Sequence, residues 1–187
     1  MSGVFSRVLV FFNKYPMSRG VATYAVIWPV SNLCQQAITG KENFDFRQAL
    51  RYCAFGALYV APTLHYWVKF SGLMWPQMTL KIALTKAFVE QFTYGPFSNV
   101  SFFYVMSLLE GKSFGGAANE VKAKFWPTYQ VGVCVWPVAQ TINFALVPEK
   151  NRVIFVGFCS MIWTCFLAYM KQLERKNLET PHLHNSV

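Results

Sequence analysis

Charge is scarce in this sequence. Asp, Glu, Lys and Arg make up 13% of its 187 residues, where an ordinary soluble domain carries roughly 25%. Hydrophobic residues reach 54%. A soluble fold of this length could not hide that much apolar and aromatic surface, and the hydrocarbon phase of a bilayer accounts for it better. Acid is scarcer than base, with 8 Asp and Glu against 17 Lys and Arg and a formal net charge of +9. The basic residues are dispersed and no nucleic-acid-binding motif accompanies them, so direct contact with nucleic acid is not expected. Phospholipid headgroups or the solvated ends of helices explain the excess better.

Whole classes of chemistry are missing as well. There is no phosphate-cradling Gly loop, no HExxH and no nucleophile elbow. His65 is the only His in an apolar stretch, and His182 and His184 lie in a polar tail. No catalytic set, metal site or cofactor is therefore expected, and the chain does not read as an enzyme. The five cysteines, at 34, 53, 134, 159 and 165, are odd in number and form no CxxC pair, which argues against a disulfide framework or a zinc site. Each lies in or beside an apolar run, where Cys acts as a small hydrophobe, with redox sensing as the lesser alternative. Alternating segments of the kind strands need do not recur, and an open sheet edge in lipid would leave backbone groups unpaired.

What is present is five apolar stretches: Val21 to Ile38, Ala49 to Val68, Ala87 to Leu109, Tyr129 to Val147 and Val153 to Met170. Each approaches the roughly 20 residues that a helix needs to cross a bilayer core. Turn signals bound them at Gly40-Lys41-Glu42, Gly115-Gly116 and Pro148-Glu149-Lys150-Asn151. Asn32, Gln35 and Gln36 dilute the first. The pattern predicts an all-α fold, a polytopic transmembrane helical bundle of four to five spanning helices, with kinks at Pro29, Pro62, Pro96 and Pro137. The last two stretches are joined so closely that they form an antiparallel hairpin. Lys and Arg are spread too evenly for the positive-inside rule to orient the bundle.

Three regions follow: a basic amphipathic arm over residues 1–20, the bundle over 21–170, and a polar tail over 171–187. In the arm, Val4, Phe5, Val8, Leu9, Phe11 and Phe12 share a helical face, with Arg7, Lys14 and Arg19 as its only charges. Such a start suits a mitochondrial import signal or an interfacial helix, and equally a lead-in to the first span.

Polar side chains inside the apolar stretches need a partner or a purpose. Glu90 is the only acid there, and Lys86 one turn earlier is spaced for an ion pair. Thr93, Ser101 and Tyr104 extend that face. His65 is placed to partner Glu90 or to bond a neighbouring helix. On the fourth stretch Tyr129, Gly132, Trp136, Gln140, Asn143 and Val147 recur at three- and four-residue steps and so share a face. Pro137 frees a carbonyl beside them. Lys86, Glu90, Trp136, Gln140, Asn143 and His65 thus form a candidate polar interior. It would either line a hydrated path or glue helices together. Trp28-Pro29-Val30 with Asn32 and Gln35 matches Trp136-Pro137-Val138 with Gln140 and Asn143 in spacing, as a remnant of duplication or a composition effect.

Trp126, Tyr129, Trp136-Pro137, Gln140, Asn143-Phe144, Val147-Pro148, Arg152 and Trp163 together resemble the signature of the family of Mpv-seventeen and the peroxisomal membrane proteins. Tyr15-Pro16, Gln35, Pro62, His65, Trp67, Lys86, Gln91 and Pro96 agree with it. Departures occur at Ser31-Asn32, Ala61-Pro62, Glu90-Gln91 and Trp163-Thr164, where the family carries Gly-Asp, Gly-Pro, Asp-Gln and Trp-Asn. The resemblance implies a multi-pass protein of the mitochondrial inner membrane, or in some members the peroxisomal membrane. It also implies channel behaviour toward small solutes, and links to mitochondrial DNA maintenance and reactive-oxygen homeostasis. The expected partners are the lipid bilayer, small solutes or metabolites of unassigned identity, and further copies of the chain if it forms a homo-oligomer. The leading expectation is a permeation path between the third and fourth stretches. A non-conducting scaffold that organises lipids or partners is the alternative.

Overall fold

A computed structural model describes residues 7, 10–12 and 14–166. The tail 171–187, the end of the fifth apolar stretch and part of the arm 1–20 lie outside the described residues. Every regular element among the described residues is helical: α1 Pro16–Ile38, α2 Phe46–Phe55, a π segment Gly56–Val60, α3 Ala61–Met74, α4 Leu80–Phe92, α5 Tyr94–Leu109, α6 Phe114–Leu146, a short turn Glu149–Asn151, and α7 over 152–166. This agrees with the all-α expectation. Among the same residues no helix is long and apolar enough to cross a membrane. Asn32, Gln35 and Gln36 in α1, and Gln140 and Asn143 in α6, lower the average of the helices that hold them.

Local chemistry explains the boundaries. Pro16 opens α1 at a position where its missing N–H costs nothing. Gly40 closes it in the left-handed region at φ 72°, with Lys41 N–H on the Gln36 carbonyl. Asp45 caps α2 by accepting from Gln48 N–H at 2.9 Å. That bond, aided by Lys41, holds its carboxyl below the usual range. Gln36 ties the two helices together, donating to the Asp45 carbonyl and accepting from Asp45 N–H at 2.6 Å. An amide that dilutes the first apolar stretch is therefore the clasp of its turn.

The α2–π–α3 rod is continuous because its π turn accommodates Pro62. In a regular helix the Pro62 ring would strike the carbonyl of Leu58 and leave it without a donor. The wider turn carries Ala61 N–H to Gly56 O instead. Thr63 Oγ1 meets the Tyr59 and Val60 carbonyls at 2.9 and 3.1 Å.

Gly56 is the point of closest approach to α1. A Cβ there would lie 2.7 Å from Trp28 Cγ. The Trp28 ring cannot retreat, since it packs on Tyr24, Tyr52, Phe55 and Phe102. Gly56→Ala is expected to destabilise the bundle by about 1–3 kcal/mol through overpacking, despite the better helix propensity of Ala. Thermal unfolding of the detergent-purified chain checks this, and a raised melting temperature would contradict it.

The third apolar stretch is two helices rather than one. Pro96 sits four residues after Phe92, whose carbonyl its ring would strike. The chain breaks between them, at Thr93, with φ −123° and ψ −82°. The fourth stretch extends far beyond its expected start. Ser113 accepts from Gly116 N–H and nucleates α6 at Phe114, so Gly115-Gly116 lies inside the first helical turn rather than at a boundary. Glu120 bridges Lys112 and Lys124 at 2.6 Å each, which braces the first turns of α6. Pro29, Pro127 and Pro137 are carried within their helices.

The rods alternate in direction. The α1–α2 and α5–α6 turns lie at one end, here the Gly40 end; the α3–α4 and α6–α7 links lie at the other, the Pro148 end. Helices α4 and α5 pack on α6, while α1 packs on the α2–π–α3 rod. A core of Tyr24, Phe55, Val60, Leu64, Val68, Met106, Val153 and Val156 joins them.

Candidate functional site

The rods enclose a cavity of about 440 Å³. Its mouth lies at the Gly40 end, between Gln35, Glu110, Glu120 and Lys124, and its floor is formed by Glu90 and Gln140. One wall is a ladder on α1 made of Tyr24, Trp28, Ser31 and Gln35, each one turn from the next. Tyr24 Oη, Trp28 Nε1, Ser31 Oγ and Gln35 Oε1 are buried and have no partner among the described residues. Such groups cost about 1–3 kcal/mol apiece unless something polar meets them. The facing wall is α6, with Tyr129, Gly132, Trp136 and Gln140.

The floor is a hydrogen-bonded chain. Asn143 Nδ2 donates to Gln140 Oε1 at 2.9 Å, and Gln140 Nε2 donates to Glu90 Oε1. Trp67 Nε1 donates to Glu90 Oε2 at 2.8 Å. Tyr129 fastens α6 to α4 by donating to the Gln91 carbonyl at 2.8 Å. Glu90, Gln140 and Asn143 are all buried.

Below the floor, toward the Pro148 end, Phe144 lies buried one turn beyond Gln140 on α6. Lys86 Nζ and the Arg152 guanidinium each lie 5.5 Å from its ring centroid, within the range of cation–π attraction. Arg152 is fixed by Nε on the Val147 carbonyl and Nη2 on the Phe144 carbonyl. Lys86, Phe144 and Arg152 are buried.

This arrangement revises the sequence expectation in three respects. Lys86 and Glu90 form no ion pair, because the carboxylate is taken by Trp67 and Gln140 while the ammonium turns to Phe144. His65 is half-buried and contacts Tyr66 rather than Glu90. Of the six residues expected in the polar interior, Glu90, Trp136 and Gln140 line the cavity; Lys86, Asn143 and His65 do not. Sequence reasoning missed Trp67, whose role depends on which helix folds against α4. It also missed the α1 ladder, although the amides of the first stretch signalled a polar face there.

The signature residues serve this frame. Trp163 meets Trp136 edge-on at 6.2 Å across α6 and α7. Pro148 caps the short turn that delivers Arg152. Trp126 is exposed and stacks edge-on with Tyr129. Both Trp-Pro-Val segments reach the cavity, through Trp28 and Gln35 from α1 and Trp136 and Gln140 from α6.

The family model described as the Mpv17 / PMP22 family matches residues 107–168, the span that runs from the end of α5 through α6 and α7. The chain is 30% identical to a protein of Xenopus laevis named Mpv17-like protein, over 95% of this chain and 88% of that one. It is 30% identical to PXMP2/4 family protein 4 of Dictyostelium discoideum, over 88% and 91%. It is 25% identical to a protein of Caenorhabditis briggsae named mitochondrial inner membrane protein Mpv17, over 85% and 88%. No solved structure matches the chain significantly. A family model that matches residues 107–168, and a relative 30% identical over most of both chains, have one meaning: the chain belongs to the Mpv17 / PMP22 family.

Proposed function

We propose that this chain is a multi-pass organelle membrane protein whose cavity is a permeation path for small polar solutes. The observation that carries the reading is an inverted distribution of polarity. Leu58 and Leu146 are 77% exposed and Leu73 is 74% exposed, whereas Lys86, Glu90 and Arg152 are 4%, 7% and 3% exposed. Water would favour the reverse, since large apolar side chains gain by leaving it and charges lose. A bilayer favours what is observed, with apolar side chains outward and ionisable ones turned to the bundle interior. Low helix hydropathy follows from the same arrangement, because cavity-facing amides and aromatics share each helix with lipid-facing Leu, Val and Phe.

The bundle crosses the bilayer as the five rods α1, α2–π–α3, α4–α5, α6 and α7, with the rest of the N-terminal arm before it and the tail 171–187 after it. The relative named for the mitochondrial inner membrane supports that location, and the relative of the PXMP2/4 family supports the peroxisomal membrane as the alternative. The four unpartnered groups on α1 support a polar occupant along the cavity. Glu90, Gln140 and Trp136 would set its charge and hydrogen-bonding preference.

The interlocked chain Asn143–Gln140–Glu90–Trp67 favours a second reading, in which the polar groups hold helices together in a non-conducting scaffold. Planar-bilayer recording of the purified chain separates the two. A conducting path gives discrete currents whose cation preference falls in Glu90→Gln. Silent membranes across voltage and pH would overturn the channel reading and leave the scaffold.

A further inference from the structure

Below its mouth the cavity is lined by a single charged side chain among the described residues, Glu90. At the mouth, Glu120 is bonded by Lys112 and Lys124 at 2.6 Å each, and Glu110 lies 3.6 Å from Lys112. Glu90 is buried at the floor and forms no salt bridge among the described residues. Both its oxygens accept from neutral donors, Trp67 Nε1 and Gln140 Nε2. Each oxygen keeps a lone pair, and the charge keeps no counter-ion, although buried charges are ordinarily paired. Lys and Arg outnumber Asp and Glu by 17 to 8, yet no described base fills that place.

The walls above Glu90 suit the missing counter-ion. Trp28, Tyr94, Phe102 and Trp136 all line the cavity. Tyr94 stacks on Trp67, the donor to Glu90, with centroids 5.7 Å apart. Trp136 stands one helical turn above Gln140. Aromatic faces attract organic cations, most strongly where water is excluded. On α1, Tyr24 Oη, Ser31 Oγ and Gln35 Oε1 can each accept a hydrogen bond, and none has a partner among the described residues. Tyr24 and Ser31 are 0% and 4% exposed. From Tyr24 to Gln35 this ladder rises about 16 Å.

We propose that the cavity binds an elongated organic ammonium ion, its charged nitrogen donating to Glu90 and its further N–H groups donating to the oxygens of α1. A bare alkali cation would leave most of the 440 Å³ unfilled and the ladder unpartnered. An anion would meet the Glu90 carboxylate at the floor and no base beneath the mouth among the described lining residues. A neutral solute would leave the buried charge without a counter-ion. The inference names the solute class of the proposed path and rests on that reading for transport, while binding itself stands apart from conduction.

The cage is already built in the empty protein. Trp28 is held by Tyr24, Tyr52, Phe55 and Phe102, and the Tyr94 hydroxyl lies 3.1 Å from Thr63 Oγ1. A Cβ at Gly132 would come 3.3 Å from Trp136 Cδ1 and press on that ring. Little has to move when the cation enters, which keeps the cost of ordering low.

Isothermal titration calorimetry of the full-length chain in phosphatidylcholine nanodiscs tests this, with spermidine as the probe and empty discs subtracted. Saturable binding of spermidine is expected, with no binding of triethylene glycol or glutarate. Glu90→Gln should weaken it roughly thirtyfold or more. Ser31→Leu, which narrows the shaft without touching the floor, should weaken it as well. Cys134→Ser, outside the cavity lining, should bind as the wild type does. Circular dichroism checks that each variant keeps its helices, and Ser31→Leu decides if Glu90→Gln unfolds. Heat no greater than that of empty discs would overturn the proposal. So would wild-type affinity in folded Glu90→Gln or Ser31→Leu, or equal binding of the glycol or glutarate. Spermidine bound by a chain that passes no current supports the site and removes the path; currents without spermidine binding do the reverse.

Discussion

Gln140→Leu is expected to lower the stability of the bundle by about 3 kcal/mol, a large share of the total for a fold of this size. The replacement is close to the amide in volume, so packing changes little. Its hydrogen bonding is lost completely. Glu90 keeps only Trp67 as a donor, and Asn143 loses the acceptor for its Nδ2. Asn143 Oδ1 already has no partner among the described residues, so its whole amide would be stranded in an apolar surrounding. Thermal unfolding of the purified chain in detergent reads the effect. The double variant Glu90→Leu/Gln140→Leu should cost less than the two single changes together, because no acid then remains buried. Strict additivity would show that the floor is a set of independent contacts rather than a network.

Phe144→Ala should open the closed end of the cavity and raise single-channel conductance severalfold. The ring stands below the floor, bracketed by Lys86 and Arg152, and its removal would leave a void beside Gln140. The change also costs about 3–5 kcal/mol of core packing, so recordings belong with a circular-dichroism check that the helices persist. The two cations, freed from the ring, would then face the path and shift selectivity toward anions. Wild-type conductance and selectivity in a folded variant would place the path elsewhere.

Much of the fold was legible because it rests on local chemistry. The turn at Gly40 and the stop before Pro148 are written in residues that allow little else, and each of the five rods holds most of one apolar stretch. The break at Thr93 could have been read more sharply, since a proline disturbs the carbonyl four residues before it and Pro96 therefore points to Phe92. The first half of α6 was hidden for a different reason. Glu120, Lys122 and Lys124 remove the apolar signal, and a Gly-Gly pair resembles a turn, but Ser113 supplies a cap and the ion pairs with Lys112 and Lys124 support the helix.

The site was legible in its membership more than in its pairing. Glu90, Gln140 and Asn143 stand out because polar groups are rare in such stretches, and their helical spacing places them on inward faces. Which partner each takes is a tertiary fact. Lys86 has the right spacing for Glu90 along its own helix, yet Trp67 and Gln140 arrive from two other helices and take the two oxygens of the carboxylate. No sequence period records that outcome.

The π turn at Gly56–Val60 has a meaning for the rod as a whole. A π turn holds one residue more than an α turn, and each residue advances a helix by about 100°. The two halves of the rod are therefore out of angular phase. Tyr52 and Phe55 in the first half point at Trp28 and Phe102, while Trp67 in the second half points at Glu90. A straight α-helix would present one continuous stripe to one neighbour. By slipping a single residue, this rod turns Trp67 toward α4, and the carboxylate at the cavity floor owes its indole partner to that slip.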